Sequence, residues 1–379
     1  MNEVILCNAR VVTRDEVFVG SVRVHDGRIV DVDRGTGVPR NSVDFEGDDL
    51  LPGLVELHTD VLEKHAFPRP GVSWPPLAAV LAHDAQLATT GITTVLDGLA
   101  VGYLVDTGQR AFDPRPLAEA VRAAQLQGLV RIAHYIHLRC EVSVRGVLEM
   151  FEPFVGDPLV RLVSLMDHTP GQRQFVRIDK YREYYKGKWA MTDAEIDDTI
   201  QRRLHDHASF AAVHRDAIIR ACATQGTPLA SHDDATVAHV EEAAKAGTVV
   251  AEFPTTLEAA HACRAYGLAV LAGAPNLVLG GSHSGNVAAA ELAARGLVDI
   301  LSSDYVPMSA LHGAYRLHRA HGMSLPAAVA AVSRTPAARV GLDDRGEITV
   351  GKRADLIRVR TTEDAPIVAA VWTAGGRVA

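Results

Sequence analysis

The chain has 379 residues, of which 47% are hydrophobic and 22% are charged, a composition typical of a globular protein with a large core. Its formal net charge of −8 argues against nonspecific nucleic-acid binding, because that activity needs a broad cationic surface. A phosphorylated substrate is not excluded, since a local cluster of arginine, lysine and metal can hold a polyphosphate inside an acidic protein.

The four cysteines favour a reducing compartment. Cys7, Cys140, Cys222 and Cys263 show no C-x-x-C spacing, which indicates buried thiols and not a disulfide framework. The first residues lead directly into a strand pattern, and no apolar run reaches the length of a membrane span. We therefore expect a cytoplasmic protein without a membrane partner. The sequence leaves the oligomeric state open, and a homo-oligomer is compatible with it.

Both ends of the chain have the sequence pattern of short strands separated by turns. Asp26-Gly27 lies between two alternating runs and is a strong hairpin signal. The C-terminal stretch from Gly346 to Val359 leads to a second strand-like run over Ile367–Trp372. Neither end has enough strands for a domain of its own. We therefore predict one small β-sandwich domain built from residues 1–50 and 345–379. The N-terminal strands are predicted at Val4–Leu6, Ala9–Thr13, Val17–Val24 and Ile29–Val32.

The middle of the chain alternates apolar strand-like runs with alanine-rich helical stretches, the pattern of βα units around a parallel sheet. Eight strands are predicted, the number that a closed (β/α)8 TIM-like barrel over residues 51–344 requires. An open doubly wound sheet fits the same alternation, but the chain has neither a G-x-G-x-x-G nor a Walker-type motif. The predicted strands are Gly53–Leu57, Ile92–Leu96, Val130–Leu138, Val160–Met166, Pro228–Ser231, Val249–Phe253, Ala269–Leu271 and Val298–Ser302.

Metal-binding residue types follow several of these strands. His58 and Asp60 end the first strand, and residues i and i+2 of an extended segment project to the same side. In a barrel the carboxyl ends of all strands surround one mouth, so the distant groups would meet there. Imidazole and carboxylate suit zinc and related divalent cations, as one or two ions. The predicted ligands are His58, Asp60, Glu141, His168, His232 and Asp304.

Two of these residues have more specific predicted roles. Glu141 could bridge two ions, and Asp304 on the last strand could hold a water molecule and take its proton. Each residue taken alone also has an ordinary interpretation. Asp304 could cap a helix, His168 could be a packing histidine, and Asp233 or Asp234 could be solvated loop charge.

Polar and cationic residues near the predicted mouth suit a phosphorylated substrate. A Gly/Ser turn at residues 280–286 precedes an alanine-rich stretch, and backbone N–H groups at such a helix start bind phosphate oxygens. The basic and aromatic segment from Lys180 to Lys188 could form a lid, although a solvated helix face explains it equally well. The predicted substrate-binding residues are Lys64, His65, Arg69, Arg139, Arg173, Ser282, His283 and Ser284.

Together these motifs resemble the amidohydrolase superfamily. The resemblance is carried by the first-strand segment from Pro52 to Asp60, the strand-end histidines, Asp304 and the terminal Gly346–Leu356 segment. The closer match is to the PhnM family, α-D-ribose 1-methylphosphonate 5-triphosphate diphosphatases of the carbon–phosphorus lyase pathway. Its matching stretches include 56–60, 62–65, 68–71, 138–141, 166–174, 231–236, 252–255 and 280–286.

The resemblance implies a metal-dependent diphosphatase of phosphonate catabolism that forms 5-phosphoribosyl 1-phosphonate and pyrophosphate. Hydrolysis of a C–N bond, as in deacetylases, cyclic amidases or deaminases, is the alternative. The complete ligand set argues against a catalytically silent scaffold. No strand-end lysine is available as the carbamylated bridging ligand of many relatives, so Glu141 is its expected replacement. The superfamily commonly places two histidine ligands after strands five and six, whereas His168 and His232 follow predicted strands four and five. Either a strand is miscounted or the arrangement is a variant.

Overall fold

The computed structural model describes residues 3–102, 113–173, 178–179, 181–182, 186, 192–281 and 286–379. Its strands fall into two separate sheets. In chain order they are β1 (Glu3–Val12), β2 (Val17–His25), β3 (Arg28–Arg34), β4 (Val43–Asp44), β5 (Asp49–Pro52), β6 (Leu54–Thr59), β7 (Ile92–Val101), β8 (Ala133–Glu141), β9 (Val160–Met166), β10 (Leu229–His232), β11 (Thr248–Glu252), β12 (Ala269–Gly273), β13 (Ile300–Ser302), β14 (Leu356–Thr361), β15 (Pro366–Thr373) and β16 (Gly376–Arg377).

Strands β6 to β13 form a parallel sheet in which each strand pairs with its neighbours in chain order. All eight predicted strands are therefore confirmed. The first and last strands meet through the buried carboxylate of Glu56, which accepts hydrogen bonds from Ser302 Oγ (2.8 Å) and Ser303 N (2.6 Å). This contact closes the sheet into a barrel and excludes the open doubly wound alternative. The predicted numbering of the strands is also correct, since His168 follows the fourth barrel strand and His232 ends the fifth.

The two chain ends form the second sheet, with strand order β16-β15-β14-β5-β1-β2-β3 and β4 paired to β1. The predicted hairpin is confirmed, because Asp26 and Gly27 both have positive φ (46° and 79°), as a type I′ turn requires. This sheet has its own core, in which the rings of Phe45 and Trp372 stack at 5.8 Å. The composite terminal domain is thus confirmed, and its sheet runs on through β5 to Pro52.

The helices cover the outside and the ends of the barrel. The longest, α5, begins with a capping box between Thr192 and Glu195 and ends at Gly226, which has φ of 68°. Within the described ranges, no helix is both long and apolar enough to cross a membrane. The helices are α1 (Val61–Ala66), α2 (Pro76–Thr89), α3 (Arg115–Leu126), α4 (Val147–Phe151), α5 (Asp193–Gln225), α6 (Val237–Lys245), α7 (Leu257–Ala265), α8 (Ala274–Leu279), α9 (Ala289–Ala294), α10 (Ser309–His321), α11 (Leu325–Ala330) and α12 (Arg334–Arg339), with a 3₁₀ turn at Glu152–Phe154.

A largely buried ionic network joins α2 to the barrel wall. Asp97 on β7 accepts hydrogen bonds from His83 Nε2 (2.8 Å) on α2 and from His134 Nδ1 (2.8 Å) on β8. Asp84 lies 3.4 Å from His134 Nε2 and accepts from Arg131 Nη1 at 2.9 Å. Burial alone would lower the pKa of His134, but the two flanking carboxylates raise it to about 9. The network therefore buries an imidazolium between two carboxylates.

Replacing His134 with glutamine should remove a pH-dependent part of the free energy of unfolding. Because the folded-state pKa of about 9 lies above the ordinary 6.5, the contribution is complete below pH 6.5 and is lost as the pH rises through 9. The shift corresponds to on the order of 3 kcal/mol. Urea unfolding of both proteins between pH 6 and pH 9.5 measures it, with the exposed His261→Gln as control. Parallel profiles for wild type and His134→Gln would contradict the expectation.

Candidate metal centre

One buried carboxylate at the end of β11 orients two histidines at the barrel mouth. Glu252 Oε1 accepts a hydrogen bond from His58 Nδ1 (3.0 Å), and its Oε2 accepts one from His232 Nδ1 (3.1 Å). The two rings stack with centroids 5.5 Å apart. A third donor, Ser164 Oγ, lies 2.7 Å from Oε2. Because both Nδ1 atoms are occupied, the Nε2 atoms of His58 and His232 are the ones available for a cation.

His168 and Asp233 complete a second group beside His232. The Nδ1 atom of His168 donates to Glu141 Oε2 (2.6 Å), and its Nε2 lies 3.7 Å from Asp233 Oδ2. The same oxygen lies 3.4 Å from His232 Nε2. Asp233 Oδ2 is buried and accepts no hydrogen bond among the described residues. Two imidazole nitrogens thus flank an unsatisfied carboxylate oxygen, a donor set that suits a divalent cation.

The electrostatics of this group favour positive charge. Burial alone would lower the pKa of His168, but the carboxylates of Glu141 and Asp233 raise it to about 10. Burial opposes ionisation of Asp233 as well, yet the neighbouring imidazoles hold its pKa below the ordinary value. The Asp233 carboxylate is therefore ionised, and it lies in a pocket that stabilises positive charge. The residues present fit a bound divalent ion.

The first and eighth strands bring Asp60 and Asp304 to the same mouth. Thr59 Oγ1 donates to the backbone oxygen of Asp304 at 2.7 Å and ties the two strand ends together. Burial is the main influence on the Asp304 carboxyl and raises its pKa, with Asp60 adding to the effect. His58 and Arg139 act in the opposite direction. A base with a raised pKa beside cationic groups is well placed to accept a proton.

Arg139 reaches this pair of carboxylates by crossing over β7. A Cβ atom at position 98 would lie 2.6 Å from Thr59 O and 3.2 Å from Arg139 Cδ, so the close approach of Thr59 requires glycine, which also leaves room for the Arg139 side chain. Although burial opposes its charge, Glu63, Asp60 and Asp304 raise the pKa of the guanidinium. Its Nε atom has no hydrogen-bond partner among the described residues. Arg139 thus presents an unsatisfied cationic donor to the mouth.

Residues at three strand ends adopt left-handed backbone conformations. Asp233, Phe253 and Asp304 have φ of 55°, 54° and 51°. Such conformations are uncommon for residues other than glycine and cost about 1–3 kcal/mol each. They turn the chain sharply after β10, β11 and β13 and so place two of the candidate carboxylates, Asp233 and Asp304, at the mouth.

Glu141, predicted as a bridging ligand, lies against the backbone and the ring of His168. Its Oε1 accepts from His168 N at 2.8 Å and from Ser143 Oγ at 3.1 Å, while Oε2 accepts from His168 Nδ1. Both oxygens therefore lie on the Nδ1 side of His168, whereas Asp233 faces Nε2. This position suits orientation of His168, with the cation on the opposite side of the ring.

Some of the predicted substrate-binding residues lie near the mouth, and others lie elsewhere or outside the described residues. Lys64 lies near the mouth, where Nζ donates to Asp60 Oδ1 at 2.9 Å, and His65 Nε2 is hydrogen-bonded to Gln86 at 2.8 Å. Arg69 is exposed on the loop after α1. Arg173 is engaged elsewhere, because its buried guanidinium forms ion pairs with Asp234 and Glu242. Ser282, His283 and Ser284 lie outside the described residues, as do Lys180, 183–185 and 187–188 of the predicted lid.

Two central residues, Glu252 and Asp233, were not among the predicted ligands. Glu252 ends an otherwise apolar strand just before Phe253-Pro254, and a charged residue in that position was an available signal. Asp233 is adjacent to a predicted histidine ligand and is only 4% exposed. Its interpretation as solvated loop charge is therefore wrong, and the same holds for the buried Asp234.

Comparisons with known proteins agree with this architecture. The amidohydrolase family model matches residues 185–378. The chain is 46% identical over 376 residues to the α-D-ribose 1-methylphosphonate 5-triphosphate diphosphatase of Escherichia coli (strain K12), covering 99% of this chain and 100% of that protein. Among solved structures, N-acetylglucosamine-6-phosphate deacetylase from Pasteurella multocida matches with a TM-score of 0.65 at 14% identity, covering 100% of both chains. Dihydropyrimidinase from Brevibacillus agri NCHU1002 matches with a TM-score of 0.63 at 13% identity, covering 100% of this chain and 95% of that one.

Proposed function

The chain belongs to the amidohydrolase family and, within it, to the α-D-ribose 1-methylphosphonate 5-triphosphate diphosphatases, and on this premise we propose that it hydrolyses that ribose triphosphate in phosphonate catabolism. Water attacks a phosphorus of the triphosphate chain, the anhydride bond breaks, and pyrophosphate leaves a ribose 5-phosphate product. The observation that carries the proposal is the 46% identity along the whole chain. The donor set at the mouth supports it, since a polyphosphate needs both metal and guanidinium.

The cofactor is a divalent metal, with zinc favoured by the imidazole-rich donor set. His58, His168 and His232 would hold it through Nε2, because their Nδ1 atoms are engaged by Glu252 and Glu141. Asp60, Asp233 and Asp304 would supply the carboxylate oxygens. The ion, when bound, supplies Lewis acidity and neutralises charge on the phosphoryl oxygens.

Side chains at the mouth carry out the remaining steps. Asp304 orients the attacking water and accepts its proton. Arg139, whose Nε has no partner among the described residues, donates to phosphate oxygens and stabilises the charge that develops on them. Lys64, 2.9 Å from Asp60, adds a cation at the rim. A cytoplasmic location is supported by four free, buried cysteines, because unpaired thiols are typical of a reducing compartment.

The test is to incubate zinc-loaded protein separately with the ribose triphosphate, ATP and a panel of dipeptides, and to follow the products by phosphorus NMR and amine release. Pyrophosphate should appear with the ribose triphosphate at a rate well above that with ATP. Dipeptides should stay intact. Amide turnover without pyrophosphate would overturn the proposal in favour of C–N hydrolysis.

A further inference from the structure

A cavity of about 550 Å³ lies on the barrel face opposite the mouth. Its wall comes from α12, from the segment that follows it, and from the turn between β1 and β2. The segment just before α12 is bonded to the starts of two barrel strands, through Val55 N to Val332 O and Leu301 N to Ala331 O, both 2.9 Å. The cavity thus lies where the terminal domain meets the amino-terminal end of the barrel. Its cationic lining residues are Arg14, Arg334, Arg339, Arg345 and Lys352.

Two of the five cations are neutralised locally. Arg345 is bound by Asp344, with Nε 2.8 Å and Nη2 3.1 Å from the carboxylate oxygens, and its Nη1 donates to Thr94 at 3.0 Å. Lys352 Nζ lies 3.3 Å from Glu347 Oε1. The hydrogen bond to Thr94 ties the segment to the barrel, and the two ion pairs leave Asp343 as the one lining carboxylate without a side-chain partner among the described residues.

Two of the other three cations have no ion-pair partner among the described residues, and the third has only a weak one. Arg334 and Arg339 form no ion pair or hydrogen bond through their guanidinium groups in the part of the chain that the structure describes. The nearest carboxylate to Arg14 is that of its exposed neighbour Asp15, 4.0 Å away. Two guanidinium groups without a partner among the described residues, and a third that is paired only with its exposed neighbour, therefore face a cavity with one unpaired carboxylate, although the whole chain has a net charge of −8. Like charges around one cavity repel each other unless an anion lies between them.

We propose that this cavity binds a phosphate anion of several charges, of the size of pyrophosphate. Guanidinium groups donate two parallel hydrogen bonds to phosphate oxygens, so three of them suit an anion with two phosphoryl groups. The ligand would connect the terminal domain, through Arg14, with the barrel, through Arg334 and Arg339. The site is separate from the mouth and does not depend on the reaction that takes place there.

Inorganic pyrophosphate is the probe, titrated calorimetrically into the zinc-loaded full chain. Besides binding at the mouth, where pyrophosphate is the product, the wild type should show a second site that Arg334→Gln/Arg339→Gln weakens about 100-fold, since each charge-assisted contact contributes about tenfold in affinity. Saturating pyrophosphate should raise the melting temperature of the wild type more than that of the variant. Turnover at the mouth should be unchanged in the variant, which separates this site from the catalytic one.

Two further variants make the test decisive. Arg220→Gln/Arg316→Gln removes the same charge from exposed positions away from the cavity, and it should keep the wild-type affinity. Arg14→Gln alters only the exposed turn of the terminal domain and should weaken binding about tenfold. Equal pyrophosphate affinity in the wild type and in both cavity variants would overturn the proposal. An equal loss in the control variant would also overturn it, because the effect would then be that of net charge alone.

Discussion

Replacing Asp304 with asparagine should lower kcat by about 10²- to 10⁴-fold, the usual contribution of a positioned general base. The amide has nearly the same shape as the carboxylate but cannot accept a proton from water. Asparagine also tolerates positive φ, so the φ of 51° at this position should be kept. Steady-state pyrophosphate release, measured at saturating substrate, gives the change in kcat directly.

The control for this experiment is Asp216→Asn on the exposed face of α5, which should keep wild-type activity. Metal content, measured on the same samples, separates two roles. Loss of activity with full metal content supports proton transfer, whereas loss of both would mean that Asp304 is needed to hold the ion. Full activity of Asp304→Asn would contradict the proposed role.

The barrel was predictable because its strands are buried on both faces. Most read as short, largely apolar runs, such as the buried Ala269–Leu271, and parallel strands of this kind are recognised without alternation. The mouth was predictable for a related reason. Polar residues that directly follow such runs, such as His58 and His232, must lie at the carboxyl ends of the strands.

The pairing of charges at the mouth could not be predicted, because it depends on which side chains meet in space. Arg173 follows the candidate ligand His168 closely in sequence, yet its guanidinium forms ion pairs with Asp234 and Glu242. Glu252 lies almost two hundred residues from His58 and still binds it. Neighbouring positions in the chain carry no information on such contacts, so Glu252 was missed while the histidines that it orients were found.

Replacing Glu252 with glutamine should lower metal affinity about 10- to 100-fold, the usual cost of removing a residue that orients metal ligands. The carboxylate accepts hydrogen bonds from Nδ1 of both His58 and His232. Although burial opposes its charge, the surrounding imidazoles hold the pKa of Glu252 well below the ordinary value. It is therefore an acceptor at both oxygens. Competition with a chromophoric zinc chelator measures the affinity.

The size of the effect follows from the donors and acceptors of the amide. Glutamine has one acceptor oxygen and one donor nitrogen, so it can accept from only one of the two histidines. The other ring must then carry its proton on Nε2, the atom needed for the metal. Excess zinc should restore much of the activity, because the ligands themselves remain. Exposed Glu258→Gln, six residues on, should bind zinc like the wild type. If Glu252→Gln does so as well, the two imidazoles are oriented by other contacts.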